Sequence, residues 1–192
     1  MRGKPSQLDI EFKEVPLRDM ATMVLPKEAR WEGEAQGQLH WKGRIAHPQS
    51  WQGEGKAKLE EVQFKRWPFQ VEGTFARFMP QLKESLQLDK VEIPSFLLAK
   101  GKVHVDSLTA KGKDITVQGK GVWTFPQRLD FRLKGEISGE LYKDLPKLAR
   151  MALPQTEDGS GRFSASFAGT FSWQAIIPDS EHYGTVLRNL FR

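Results

Sequence analysis

Proton transfer and metal ligation near neutral pH belong first to histidine, and the chain has four: His40, His47, His104 and His182. They are far apart in sequence, none has a second ligand at metal-binding spacing, and His40 and His104 fall on polar strand faces. Each reads as a solvated surface residue. No serine sits in a G-x-S-x-G elbow. Gly53-Glu54-Gly55 and Gly119-Lys120-Gly121 do not complete a G-x-G-x-x-G phosphate cradle. The adjacent acids Glu32 with Glu34, and Glu60 with Glu61, read as solvation of a strand face rather than as an acid/base pair. Cysteine is absent, which removes disulfides, thiolate catalysis and cysteine metal sites while leaving the compartment open. The expectation is a non-enzymatic protein with no metal and no cofactor.

Nucleic-acid binding is the next chemistry to weigh. Lys56, Lys58, Lys65, Arg66, Lys100, Lys102, Lys111, Lys113 and Lys120, with six tryptophans, supply the ingredients of phosphate contact and base stacking. Their phase separates them, because Trp31, Trp41, Trp51 and Trp123 fall on one strand face and the lysines mostly on the other. A net charge of +5, from 29 basic and 24 acidic residues, is mild, and acids and bases interleave. Nucleic acid is not the expected partner.

The elements that position these residues are strands. Between Asp114 and Leu141 two runs, Ile115 to Phe125 and Leu129 to Leu141, alternate in character and meet at Pro126-Gln127-Arg128. Ile115, Val117, Gly119, Gly121, Trp123 and Phe125 share one face, and Leu129, Phe131, Leu133, Gly135, Ile137, Gly139 and Leu141 repeat it. Period two is the strand signature, so this predicts a long β-hairpin with one apolar and one wet face. The same pattern recurs at Ser6 to Val15, at Arg30 to Gly43 (one strand, or two folding back near Gly37) and at Trp51 to Leu59. It returns at Val71 to Phe75, Leu86 to Ile93, Phe96 to Asp106, Ser107 to Gly112 and Gly161 to Phe171. A one-residue phase slip at Glu60-Glu61 predicts a bulge or a turn, and Pro94 predicts a strand end or an edge. Short helical segments are expected at Leu17 to Leu25, Phe78 to Leu86, Tyr142 to Leu153 (Asp144 capping, Pro146 in the first turn) and Glu181 to Arg192.

With 192 residues, 39% hydrophobic content and a mean hydropathy of -0.52, the chain predicts a single β-rich domain, residues 1–192, with much polar strand face exposed. No apolar run reaches the length of a membrane-spanning helix, and the first residues lack a secretory leader's hydrophobic segment. The expected fold is all-β: a long, twisted, curved antiparallel sheet. Its apolar face either closes on itself or stays open as a groove. Tryptophan or phenylalanine alternating with glycine would leave troughs with aromatic walls, shaped for an acyl chain or another elongated apolar ligand. The candidate lining is Trp31, Leu39, Trp41, Trp51, Val117, Trp123, Phe131, Phe163 and Phe167. A second candidate surface is the C-terminal amphipathic segment, whose Arg188, Phe191 and Arg192 suit an anionic membrane.

One stretch carries a resemblance. A short helix ending in Leu25-Pro26, followed by W-x-G-x-A-x-G-x-L-x-W-x-G from Trp31 to Gly43, resembles the AsmA-like and type II secretion system protein N families of the bacterial envelope. The Leu86 to Val105 series with Ile93-Pro94, the run containing Gly112-Lys113-Asp114-Ile115-Thr116-Val117, and the Phe163 to Phe171 strand agree with it. The resemblance implies a periplasmic β-rich domain, tethered to the inner membrane by an N-terminal helix that this chain does not contain. It implies lipid handling or transport between membranes, or a structural role in a secretion assembly with envelope or secretion-system proteins as partners. It supplies no catalytic residues.

Overall fold

Alternation this persistent can be satisfied only by strands, and among the described residues ten form: β1 (Ser6–Pro16), β2 (Arg30–Arg44), β3 (His47–Lys65), β4 (Val71–Glu72), β5 (Ser85–Ala99), β6 (Lys102–Lys111), β7 (Ile115–Thr124), β8 (Arg128–Ile137), β9 (Gly161–Thr170) and β10 (Trp173–Pro178). They join in one sheet in the order β1-β2-β3-β5-β6-β7-β8-β9-β10-β4. Every neighbouring pair is antiparallel except β10 with β4. The structure is a computed structural model and describes residues 6–19, 30–44, 47–65, 71–72, 85–125, 128–145, 147, 150, 153–170 and 173–178. Among the described residues the sheet is not closed: β1 forms one edge and β4 the other.

Chain length forces this sheet to curl. β4 lies seven strand steps from β3, about 34 Å in a flat sheet at about 4.8 Å per step. The covalent path from Lys65 to Val71 reaches at most about 22 Å. Curling makes one face concave, and the buried residues all belong to it. Leu17, Ala35, Val62, Leu88, Val91, Ala110, Ile115, Ile137, Tyr142, Leu145 and Leu153 form one cluster, so residues following β1 meet residues following β8. Val62 and Ile137, at 0% and 1% exposure, are the largest fully buried side chains among the described residues.

The end of the concavity near Ile115 and Ile137 is closed by α1 (Gly139–Asp144). Ser138 caps it, its hydroxyl accepting from Leu141 N at 3.2 Å and donating to Asp114 Oδ1 at 2.9 Å. Tyr142 is buried, and its hydroxyl donates to the carbonyls of Arg150 (3.0 Å) and Leu153 (3.2 Å), folding the following segment onto the core.

Several local expectations change. Arg30 to Arg44 is one strand, without a reversal at Gly37. The slip at Glu60-Glu61 is a bulge: Glu32 pairs Gln63 and Glu34 pairs Glu60, so Gly33 faces two residues. Gly33 (φ 119°) and Glu61 (φ 51°) both take left-handed conformations there, and a side chain on Gly33 would strike the Glu60 carbonyl at 2.6 Å. Pro94 neither ends a strand nor marks an edge, because β5 runs through it between β3 and β6. Gly55 pairs Phe96 and Ala57 pairs Ile93, so Pro94 and Ser95 together oppose Lys56; that bulge accommodates a residue lacking an N–H. The pieces Phe96 to Asp106 and Ser107 to Gly112 are the end of β5, a tight turn at Lys100-Gly101 (φ 50° and 71°), and one continuous β6. The phase change between them is a further bulge, Asp106-Ser107 opposite Lys120. β8 stops at Ile137, so Gly139 and Leu141 lie in α1 instead of on the strand face. α1 starts earlier than Tyr142 and ends at Asp144, with Leu145 extended, and Lys147 and Arg150, inside the expected Tyr142 to Leu153 segment, are helical again. Residues 17–19 are helical and Val71–Glu72 is a strand. The rest of the expected Leu17 to Leu25 helix, residues 73–75 and 78–84, and the segment 181–192 lie outside the described residues, whereas Ser85 and Leu86 open β5.

Candidate apolar groove

Facing residues in an antiparallel pair share a sheet face, so the register defines rows across the concavity. One row runs Ile10, Leu39, Gly55, Phe96, Val105, Gly121, Phe131, Phe167 across eight strands. A parallel row towards the β2–β3 turn contains Leu8, Trp41, Gly53, Leu98, Val103, Trp123, Leu129 and Gly169. Towards α1, a third contains Val15, Ala35, Leu59, Val91, Ala110, Val117, Gly135 and Phe163.

The nine candidate lining residues therefore occupy one face but fall into three groups. Trp31, Val117 and Phe163 pack against the core beside α1. Trp41, Trp51 and Trp123 meet at the opposite end through Phe125. Trp51 sits edge-on to Trp41 (6.2 Å, 79°) and to Phe125 (4.9 Å, 74°), and Phe125 stacks on Trp123 (4.6 Å, 25°). The Trp51 Nε1 donates to the Arg44 carbonyl at 2.9 Å, which fixes the ring over the strand end. Leu39, Phe131 and Phe167 line the stretch between, all half-buried, and the row continues to exposed Ile10 (37%) and its neighbour Leu8 (48%) on β1. The three residues Arg188, Phe191 and Arg192 lie outside the described residues.

The glycines of this face do not leave empty troughs. A Cβ placed on Gly37 would lie 2.7 Å from Phe12 Cζ, on Gly121 2.6 Å from Phe131 Cγ, and on Gly135 2.5 Å from Phe163 Cζ; the Phe96 ring covers Gly55 in the same way. Each of these four glycines is roofed by a ring from the adjacent strand, so the concave floor there is a layer of rings rather than a series of slots. Phe12 and Phe125, which alternation already put on the apolar face, thus line the surface together with Phe96 and with Tyr142, which lies over Gly161, although none of the four is among the nine candidates. Their signal is cross-strand register, which no single strand contains.

The convex face holds the polar groups. Asp9 and His40 face each other on β1 and β2, with His40 Nδ1 in hydrogen-bond contact with Asp9 Oδ1. Lys58 meets Glu60 (2.5 Å), Lys90 meets Glu92 (2.5 Å) and Arg162 meets Glu136 (2.7 Å). The hydrogen bond from Lys90, with the nearby charges of Lys58 and Lys111, holds the Glu92 carboxyl below the usual carboxylate range. In the turn before β9 the Thr156 and Ser160 hydroxyls both donate to Asp158 Oδ1, as does Ser160 N at 3.2 Å. These donors lower the Asp158 pKa to about 2, keeping it ionised and unsuited to act as a base near neutral pH. Among the described residues no group of three His, Cys, Asp or Glu could hold a metal ion. Also among them, no helix is long and apolar enough to cross a membrane.

Comparison of the chain with protein-family models, with curated proteins and with solved structures finds no match.

Proposed function

We propose that this is a non-enzymatic bacterial envelope protein whose concave face holds an elongated apolar ligand, an acyl chain foremost, in lipid handling or transport between membranes. One observation carries the reading. Between the α1 plug and the aromatic plug, the row of Leu39, Phe131 and Phe167 stays half-buried and runs out to exposed Ile10 and Leu8 at an unclosed sheet edge. Apolar surface so arranged favours an apolar occupant by about 25 cal/mol for each Å² covered. The resemblance to the AsmA-like and type II secretion system protein N families points the same way, and with it to the periplasm and the inner membrane.

Native mass spectrometry with lipid extraction, on protein purified from a bacterial host without detergent, tests this. The expected result is phospholipid near one per chain, lost in Leu39→Glu but kept in Leu97→Glu. Leu97 is the control because it is 53% exposed, on the convex face. A folded, lipid-free wild-type protein would sink the carrier reading. A second reading, a structural subunit of a secretion-type assembly, is favoured by β1, an edge strand of 11 residues exposed on most of its length. Its free edge offers backbone groups to a partner's strand.

A further inference from the structure

We infer that the end of the sheet bearing the aromatic plug is a docking surface for an anionic membrane leaflet. Four pairs of strand ends converge there, β2 with β3, β5 with β6, β7 with β8 and β9 with β10, and the sequence segments that join them with their flanks are 42–52, 99–103, 122–129 and 168–174, of which 45–46, 126–127 and 171–172 lie outside the described residues. None contains an Asp or Glu, and together they carry Lys42, Arg44, Lys100, Lys102 and Arg128. The register sets three of these cations on one convex row, Lys42, Gln52, Ala99, Lys102, Thr124, Arg128. Lys42 and Lys102 are then about 14 Å apart and Lys102 and Arg128 about 10 Å, at about 4.8 Å per strand step. Both spacings exceed the screening length of about 8 Å at physiological salt, so the cations barely repel one another and each contributes separately to attraction by an anionic surface. Lys42, Lys100, Lys102 and Arg128 are exposed.

The opposite end carries both signs, Glu32, Glu61, Asp89, Asp114, Glu140 and Asp158 beside Lys111, Lys113, Lys143 and Arg162. The five rim cations equal the net charge of +5, so the rest of the chain is balanced and an anionic plane would orient the molecule with its basic end inward. Along the strands, cations and tryptophans point to opposite faces and cannot share a ligand. At the rim the two faces meet, so Trp51, Trp123 and Phe125 stand directly behind the basic row, half-buried. Cations over amphipathic rings match the order of headgroup and interface in a leaflet. Single-stranded nucleic acid suits the rim less well, because these rings are engaged with one another instead of standing open to stack on bases. The inference is independent of the lipid-carrier reading, since a concave face without ligand leaves the rim unchanged.

Vesicle co-flotation of the whole chain tests it, using vesicles of phosphatidylcholine alone and of phosphatidylcholine with phosphatidylglycerol. Binding should require phosphatidylglycerol and disappear in high salt. At about fivefold per cation, Lys42→Gln/Lys102→Gln/Arg128→Gln should weaken partitioning about 100-fold, and Lys102→Gln alone about fivefold. Lys111→Gln/Lys113→Gln/Lys143→Gln, which removes the same charge away from the rim, should bind within a small factor of wild type. Equal loss in the two triple variants would overturn the inference, as would equal binding to both vesicle types. So would an oligonucleotide that displaces the vesicles through the same three residues. Circular dichroism confirms that each variant is folded, and retention of co-purified lipid in the rim variant separates this result from the fate of the groove.

Discussion

Two glycines on the same face of the same strand should respond unequally to alanine, and the contrast tests the account of the concave floor. Gly119 and Gly121 are two residues apart on β7. A methyl on Gly119 would meet Leu133 Cδ2 at 2.6 Å, and its next neighbour, the Arg132 carbonyl, only at 3.3 Å. That first obstacle is the far end of a flexible side chain. A methyl on Gly121 would meet Phe131 at Cγ (2.6 Å) and at Cα (2.7 Å), and also the Asp130 carbonyl, atoms that move only with the strand itself. Both substitutions gain about 0.5–1 kcal/mol by removing glycine's freedom in the unfolded chain. Rotating Leu133 costs about as much, so Gly119→Ala should be neutral within about 0.5 kcal/mol. Displacing β8 or the root of a ring costs about 1–3 kcal/mol, so Gly121→Ala should lose about 1–2 kcal/mol. With a urea slope near 2 kcal/mol/M, the two midpoints should differ by about 0.5–1 M at unchanged slope. Equilibrium unfolding followed by far-ultraviolet circular dichroism reads this directly. A Gly121→Ala protein as stable as Gly119→Ala would refute the claim that Phe131 roofs Gly121, and with it the picture of a floor made of rings.

Ile137 is 1% exposed at the centre of the core, so Ile137→Ala should cost about 3–4 kcal/mol and lower the melting temperature by about 10 °C in calorimetry. Ser138→Ala removes the cap of α1 and the partner of Asp114; about 1 kcal/mol should be lost in urea unfolding, and Ser138→Asp should not restore it fully because Asp114 faces the site. The Asp158 carboxyl should titrate at about 2 by carbon-detected NMR. Because its pKa is lowered in the folded protein, the stabilisation it brings is present above its unfolded value of 3.8 and disappears as pH falls through about 2. Thr156→Val removes the largest cause of the shift and should move the midpoint back towards 3.8.

Fold class and facing were legible in the sequence because both follow from period two, a property of each strand by itself. The run from Arg30 to Arg44 and the hairpin of β7 and β8 show this: every tryptophan assigned to the apolar face there lies on it. What was not legible depends on pairs of strands. Pro94 read as an edge because a missing N–H forbids a ladder bond, yet the bulge opposite Lys56 removes that demand in the middle of the sheet. Ser107 read as a new strand because the phase changes, and the Asp106-Ser107 bulge changes phase without ending β6. Gly139 and Leu141 kept the strand pattern for two further positions, but Ser138 offers its hydroxyl to Leu141 N and turns the chain into α1.

The same distinction governs the candidate site. Trough and roof look identical in one strand, since Gly121 followed by Trp123 says nothing of which residue on β8 faces the gap. The register brings Phe131 there, and equivalent pairings bring Phe12 to Gly37, Phe96 to Gly55 and Phe163 to Gly135. Four repetitions across separate strand pairs indicate a shared physical cause. A strongly curled sheet crowds the side chains on its concave side, and placing glycine beside each ring lets the ring lie down along the sheet rather than stand into the concavity. Rings lying along the floor take up less of the concavity than upright rings would, so the glycines that seemed to carve slots instead lower the height of the aromatic layer between the α1 end and the tryptophan end.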